Sequence, residues 1–398
     1  MKTYALTGIT GSLGRNVFFE LLKNNLTKLN TLQFIIFGRP SSDQTLKERV
    51  KRIFQSEGVN YLGCSPSELL RFDSFLDTQI SYINLDLSQD RIISKTDALN
   101  LRNQSIHSFY HIAADTSFRS DPNTIERLNQ QNVMGTTQVL KLCKTMEIET
   151  FNYVSSAYVC GKTYGDISPN YSNIDNTFRN HYEKTKLQGE LLVKAYKDST
   201  GVKCNIFRPS TISGKLIENV KGEVCKFDVF YQWAQFFLKL KVKNFDDHIN
   251  LIYTKPVTMD IRVAINFNAG LNIVPADFAA KVIYHVSNQN INGGHFHVVN
   301  NQEVNHVVYI KQMLNILNIN GVTFVTEIPK DLNPLEKLFY KTVGSIFTPY
   351  AIQDQINFNT DNLQKLYVTE NLHCPEMNTE NFQILLEFAK LKNFGLTF

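Results

Sequence analysis

Along the first two hundred residues, short apolar runs alternate with stretches of helical periodicity. Lys2–Thr7 (KTYALT) is a β-type run that breaks at Gly8 and leads into a helical pattern over Asn16–Leu26. LQFIIFG, ending at Gly38, predicts a second strand, ISYINLDL around Asp86 a third, and Ser108–Ala114 a fourth. A helical stretch over Asn123–Met146 precedes a fifth strand (TFNYVSSAYV), a helix over Tyr182–Ser199 and a sixth strand (KCNIFRP). Strands that are apolar on both faces and alternate with helices require a parallel sheet covered on both sides. Right-handed crossovers make that sheet doubly wound, an α/β architecture. Ligands of such sheets bind beyond the carboxyl ends of the strands, where strand order reverses. After the sixth strand the alternation fails: residues 216–270 and 301–398 follow no such rhythm.

Composition narrows this only a little. A length of 398 residues suits one large domain with an appendage, or two domains. The formal net charge of +4 is small for that length and argues against a nucleic-acid-binding surface or a polybasic membrane tail. The 28 Phe and 17 Tyr can be core or can line an apolar ligand site, and composition does not decide. The opening segment lacks the apolar stretch and cleavage site of a signal peptide. No apolar run reaches the roughly 18 residues of a membrane span. Six scattered cysteines (Cys64, Cys143, Cys160, Cys204, Cys225 and Cys374), with no Cys-x-x-Cys, are expected of a reduced, cytoplasmic protein without a metal site.

Chemistry concentrates where the strands end. Gly8-Ile9-Thr10-Gly11-Ser12-Leu13-Gly14 follows a strand and opens a helix, the setting in which glycines bring a backbone close to a pyrophosphate at a helix N-terminus. The second strand ends Gly38-Arg39-Pro40, where a guanidinium suits the 2′-phosphate of NADP better than the ribose hydroxyl of NAD. Arg15 is a candidate second clamp. Asp86 and Leu87 are placed to meet an adenine, and Ala113, Ala114 and Asp115 to let a cofactor pass closely. His111 reads as a buried structural residue and Asn132 as a bridge between strand and helix. Tyr182 and Lys186 lie one helical turn apart on the same face. There an ammonium stabilises a phenolate and lowers the Tyr pKa. Ser156, at the end of the fifth strand, adds a second hydroxyl able to polarise a carbonyl.

The series TGITGSLG, DLS, HIAAD, NVMGT, YVSSAYVCG, YEKTK and FRPSTISG resembles the motifs of the extended short-chain dehydrogenase/reductase superfamily over about residues 1–300. The run from Ala113 to Phe118, the segment from Arg208 and Asn272-Ile273-Val274-Pro275-Ala276-Asp277 are similar to its thioester-reductase and fatty acyl-CoA reductase branch. The resemblance implies a Rossmann domain, 1–215 plus 271–300, that binds NADP(H). It implies a smaller, mixed, C-terminal substrate-binding subdomain, 216–270 plus 301–398. It also implies catalytic roles for Ser156, rather than Ser155, and for Tyr182 and Lys186, with cofactor contacts from Pro209, Ser210, Thr211 and Ile212. The expected substrate is an acyl thioester, CoA-linked or carried by an acyl carrier protein, reduced to aldehyde or alcohol without a cysteine nucleophile, so that Cys160 only packs. The alternative on the same scaffold is a sugar-nucleotide epimerase, dehydratase or reductase, since fold does not fix substrate. A ketone reductase and a non-enzymatic sensor are further readings.

The aromatic segment Phe227–Leu240, which runs into the basic KLKVK, presents Phe230, Trp233, Phe237 and Leu240 on one side of a helix. That side packs on the core or walls an acyl tunnel, with the nearby lysines facing a phosphate. Leu335–Ile352 is a second aromatic segment, readable as a lid; membrane association is not expected of it.

Overall fold

The computed structural model describes residues 2–243, 252–289 and 293–397. Parts of the segments discussed above, residues 244–251 and 290–292, lie outside the described residues. Seven strands form the central sheet: β1 (Lys2–Thr7), β2 (Leu32–Gly38), β3 (Ile80–Asn84), β4 (Ser105–His111), β5 (Glu147–Val154), β6 (Lys203–Pro209) and β7 (His295–Val298). Their order is β3-β2-β1-β4-β5-β6-β7 and every pairing is parallel. Strand order therefore reverses between β1 and β4, as a doubly wound sheet requires.

Six strands lie where the apolar runs predicted them, with shifted ends. β3 stops at Asn84 because Asp86 turns back, its N–H reaching the Ile92 carbonyl at 2.9 Å. β5 stops at Val154, which leaves Ser155 and Ser156 beyond the sheet edge. The four residues of β7 (HFHV), paired with β6, are too short and too polar in alternation to read as a strand. Five helices position the site: α1 (Ser12–Lys23), α2 (His181–Thr200), α3 (Phe230–Val242), α4 (Ala276–Asn288) and α5 (Val343–Ala351). The stretch predicted as one helix over Asn123–Met146 runs from Pro122 to Cys143 and carries a π-type turn over Asn129–Met134. A helical stretch between β2 and β3 begins at Leu46 and includes Pro66–Thr78. The alternation of apolar runs did not predict it. Its sequence signals are two capping boxes, Thr45 with Glu48 and Ser65 with Glu68.

Three apolar cores result. Two cover the faces of the sheet, one of them with α1 and α4 and including Leu363, Leu366 and Leu372 from the C-terminal region. The third gathers α3, α5 and their neighbours around Trp233, Phe237, Phe339 and Phe382.

Polar ties hold the site-bearing pieces to the sheet. Asp277, at the start of α4, accepts the backbone N–H groups of Leu216, Ile217 and Glu218 at 3.3, 2.7 and 2.8 Å, fixing the chain where it leaves the sheet. Arg208 of β6 is fully buried and donates through Nε and Nη2 to Glu190 of α2 at 2.9 and 2.6 Å. Its Nη2 also reaches the Tyr171 carbonyl at 2.8 Å. Breaking such a pair leaves a buried charge uncompensated. Arg208→Met is expected to lower the free energy of unfolding by about 3–5 kcal/mol in urea denaturation. The Arg208→Met/Glu190→Leu double variant should recover most of that loss, and a double variant no more stable than the single one would refute the pairing as the cause.

Candidate active site

The loop from Gly8 to Gly14 leaves no room for side chains at two of its glycines. Gly8 has φ +81°, and a Cβ there would sit 2.6 Å from the backbone nitrogen of Ala113. A Cβ on Gly14 would sit 2.1 Å from the Gly8 carbonyl oxygen. The loop thus runs flat against the end of β4 and delivers the N-terminus of α1 to the cavity described below. That N-terminus has no side-chain cap and no acidic residue in its first turn. Free N–H groups and the positive end of the helix dipole fit a pyrophosphate.

Arg15 does not share that surface. It is buried, donates to the carbonyls of Thr10 (2.7 Å) and Gly11 (3.3 Å), and is ion-paired with Glu57. It braces the glycine loop and is not among the cavity-lining residues, a departure from the clamp expected of it. The cause is Glu57, which comes from the helical stretch between β2 and β3 that the hydrophobic pattern did not predict. Arg39, exposed at the end of β2, does line the cavity. Arg49, from that same stretch and not singled out in the sequence, donates to the Arg39 carbonyl. Leu87 lines the cavity, whereas Asp86 is turned to its own loop and accepts from the N–H and Oγ of Ser88 at 3.0 and 2.7 Å. Both of these bonds fall on Oδ1 of Asp86.

Beyond β4, Thr7 Oγ1 accepts the N–H groups of Ile112 and Ala113 at 3.1 and 3.2 Å and bonds His111 Nδ1 at 2.9 Å. His111 Nε2 meets Thr136 Oγ1 at 3.1 Å, and burial lowers the imidazole pKa to about 3. Asn132, in the π-type turn, accepts from Asp115 N at 2.8 Å and donates to Asp115 O and Thr185 Oγ1 at 2.9 and 3.1 Å. It bridges the loop after β4 to α2. Asp115 pairs with Arg127.

Ser156, Tyr182 and Lys186 line one cavity with the glycine loop, Arg39, Ala113, Ala114, Asp115 and the segment Pro209–Ile212. Ser156 Oγ accepts the Tyr158 N–H at 3.2 Å and so keeps its own proton to donate. Lys186 is buried, its Nζ 4.3 Å from the Tyr153 ring centroid, and burial lowers it to about 7. Tyr182 is raised, by burial first and then by Glu183 and Asp115. The lowered phenol expected from Lys186 is absent in this state of the site. Desolvation favours the neutral form of both groups, and the charges acting on Tyr182 are carboxylates. Burial also pushes the Cys160 thiol up to about 11.

The cavity measures about 1610 Å³ and continues past these residues to α3 and α5. Phe230, Trp233 and Phe237 are buried in the third core. The face of α3 that lines the cavity carries Gln232, Gln235, Phe236, Lys239 and Leu240, and Lys243 just past its end lines it too. Lys241 departs from the phosphate-facing role given to its segment. It is buried, donates to the carbonyls of Leu317 and Asn318 at 2.5 and 3.3 Å, and is lowered to about 8 by desolvation. Val343, Ile346, Phe347 and Tyr350 of α5 line the cavity as well.

Fatty acyl-CoA reductase 2 of Mus musculus is 28% identical over 253 residues, covering 56% of this chain and 45% of that protein. The chain thus spans less than half the length of that curated relative. The terminal R domain from the myxalamid PKS-NRPS biosynthetic pathway superposes with a TM-score of 0.71 at 17% identity, covering 99% of this chain and 92% of that one. UDP-glucuronic acid 4-epimerase from Bacillus cereus, in complex with UDP-glucuronic acid and NAD, gives a TM-score of 0.62 at 15% identity, covering 98% and 99%. At these identities the likeness to the two structures is one of fold. The family model for the male sterility protein matches residues 6–283, a span from within β1 into α4 that takes in the glycine loop and every sheet strand but β7. By that match the chain belongs to the male sterility protein family.

Proposed function

We propose that this chain binds NADPH and reduces the carbonyl of an acyl thioester, CoA-linked or carried by an acyl carrier protein, to an aldehyde or alcohol. The observation that carries the reading is that one cavity holds both halves of the site. It joins a phosphate-ready helix N-terminus to Ser156, Tyr182 and Lys186, and continues over an apolar wall of Phe236, Leu240, Ile346 and Phe347. An apolar wall suits an acyl chain better than a nucleotide sugar. In this reading residues 1–215 with 271–300 hold the cofactor, and 216–270 with 301–398 hold the acyl group. The cofactor surface comprises Gly8, Thr10, Gly11, Ser12, Leu13, Gly14, Arg39, Leu87, Ala113, Ala114 and Pro209–Ile212. Arg39 supports NADPH over NADH, since Gly38-Arg39-Pro40 offers no carboxylate to a ribose hydroxyl.

When bound, the dinucleotide supplies hydride to the carbonyl carbon. Ser156 and Tyr182 donate hydrogen bonds to the carbonyl oxygen, where negative charge develops. A phenol kept protonated by burial and by Glu183 suits reduction, in which Tyr182 gives up its proton. As the tetrahedral hemithioacetal collapses to aldehyde and thiolate, its hydroxyl proton would return to the Tyr182 phenolate; reduction on to the alcohol would consume a second NADPH and a second proton from Tyr182. Lys186 holds the ribose and returns a positive charge beside the phenolate. Cys160 has no part in this.

Three outcomes test the reading. Purified protein should oxidise NADPH with acyl-CoAs or acyl carrier proteins; consumption with nucleotide sugars alone reverses the choice in favour of the sugar-nucleotide alternative. Tyr182→Phe should lower kcat by about 10³-fold, within the range of acid–base catalysis, with the NADPH dissociation constant, read by cofactor fluorescence, within about twofold of wild type. Arg39→Ala should weaken NADPH about tenfold and NADH hardly at all; equal losses remove the phosphate assignment. Stability reports on Lys186 independently of turnover. Its depressed pKa means that the unfolded chain binds the extra proton between about pH 7 and pH 10.5, so its penalty is full below pH 7 and is relieved as pH rises through that window. Lys186→Met is expected to be more stable than wild type in denaturant unfolding at pH 6, by about 5 kcal/mol, with the gap closing towards pH 10. A gap independent of pH would show that the ammonium is not the cause.

A further inference from the structure

The residue after Tyr182 is a fully buried carboxylate. Glu183 accepts from the backbone N–H and Nη1 of Arg179 at 3.0 and 3.1 Å, and both side chains are 0% exposed. Glu183 also accepts from the hydroxyl of Tyr350 at 2.7 Å. That hydroxyl in turn accepts from Asn180 Nδ2 at 2.6 Å, and Asn180 caps α2 by accepting the Glu183 N–H at 3.1 Å. One hydroxyl from α5 thus holds both the cap and the first-turn carboxylate of the helix that carries Tyr182.

The ring of Tyr350 takes a second hold. It stacks on Phe118 at 5.8 Å between centroids, and Phe118 lies 5.4 Å from the ring of Tyr182. The Arg179 guanidinium sits 5.1 Å from the Tyr350 ring centroid, and its Nε donates to Gln353 just beyond α5 at 2.5 Å. Tyr182 is therefore constrained along the chain through Glu183 and across its ring through Phe118, and both constraints end on Tyr350.

We propose that Tyr350 is a positioning residue for Tyr182, and that α5, a wall of the acyl cavity, sets the direction of the phenol although it belongs to a distant part of the chain. The proposal rests on Tyr182 as the proton donor. Buried hydrogen bonds to a charged group are directional, and a displacement of an ångström at a reacting atom costs turnover more than binding.

The test compares Tyr350→Phe with wild type and Tyr182→Phe, using decanoyl-CoA and NADPH, together with amide hydrogen exchange of the peptide over residues 180–186. Tyr350→Phe should lower kcat about tenfold, leave KM for decanoyl-CoA and the NADPH dissociation constant within about twofold, and speed exchange in that peptide at least fivefold. Phe118→Leu, which removes the ring that contacts both Tyr350 and Tyr182, should also lower kcat. A Tyr350→Phe protein with a raised KM and unchanged kcat makes Tyr350 a substrate contact only and overturns the proposal. Unchanged exchange over residues 180–186 also overturns it, and that readout needs no turnover. An active Tyr182→Phe sinks the proton-donor reading; an inactive Tyr182→Phe beside a wild-type kcat in Tyr350→Phe sinks the positioning role alone.

Discussion

The molecule depends on a contact between backbones. Gly8 lies so near Ala113, and Gly14 so near Gly8, that a single methyl group on either glycine would meet main-chain atoms at 2.1–2.6 Å. Neither β4 nor the start of α1 can retreat, because each is locked in register, β1 with β4 and α1 against α4. The closeness brings the uncapped start of α1 to the carboxyl ends of the strands at the point where their order reverses. Arg15 and Glu57 brace the loop from behind, and Thr7 ties the end of β4 to β1. The phosphate-ready surface is thus a consequence of how closely two strands and a helix can approach when side chains are absent.

Burial does the electrostatic work at the other end of the site. The titrations of Tyr182 and Lys186 move apart, because both groups are driven to their neutral forms, the phenol up and the ammonium down. A partner charge alone would have moved Tyr182 the other way. The carboxylate that sits beside it, Glu183, is kept in place by Arg179 and Tyr350, so the same buried network holds the helix and biases the proton. The network ties α5 to the first turn of α2.

The six predicted strands, the glycine loop and the positions of Ser156, Tyr182 and Lys186 on their elements were all legible, because each rests on local patterning: period-two or continuous apolar runs, obligatory glycines, and residues four apart on a helix. β7 was missed because four residues with two histidines carry no such pattern, and only pairing with β6 makes them a strand. The helical stretch between β2 and β3 was announced only by its capping boxes.

What local chemistry dictated was the order of strands and helices and the kinds of side chain near their ends. Which of those side chains face the site was decided by packing across long separations in sequence. Arg15 is taken by Glu57, Asp86 by its own turn, and Lys241 by the end of a distant helix. The aromatic face of α3 turned inward because burying Phe230, Trp233 and Phe237 together removes more apolar surface from water than lining a cavity would, leaving Phe236, Lys239 and Lys243 at the wall. Periodicity marks a helix face as apolar, but only the rest of the chain, folded around it, supplies the surface that the face will meet.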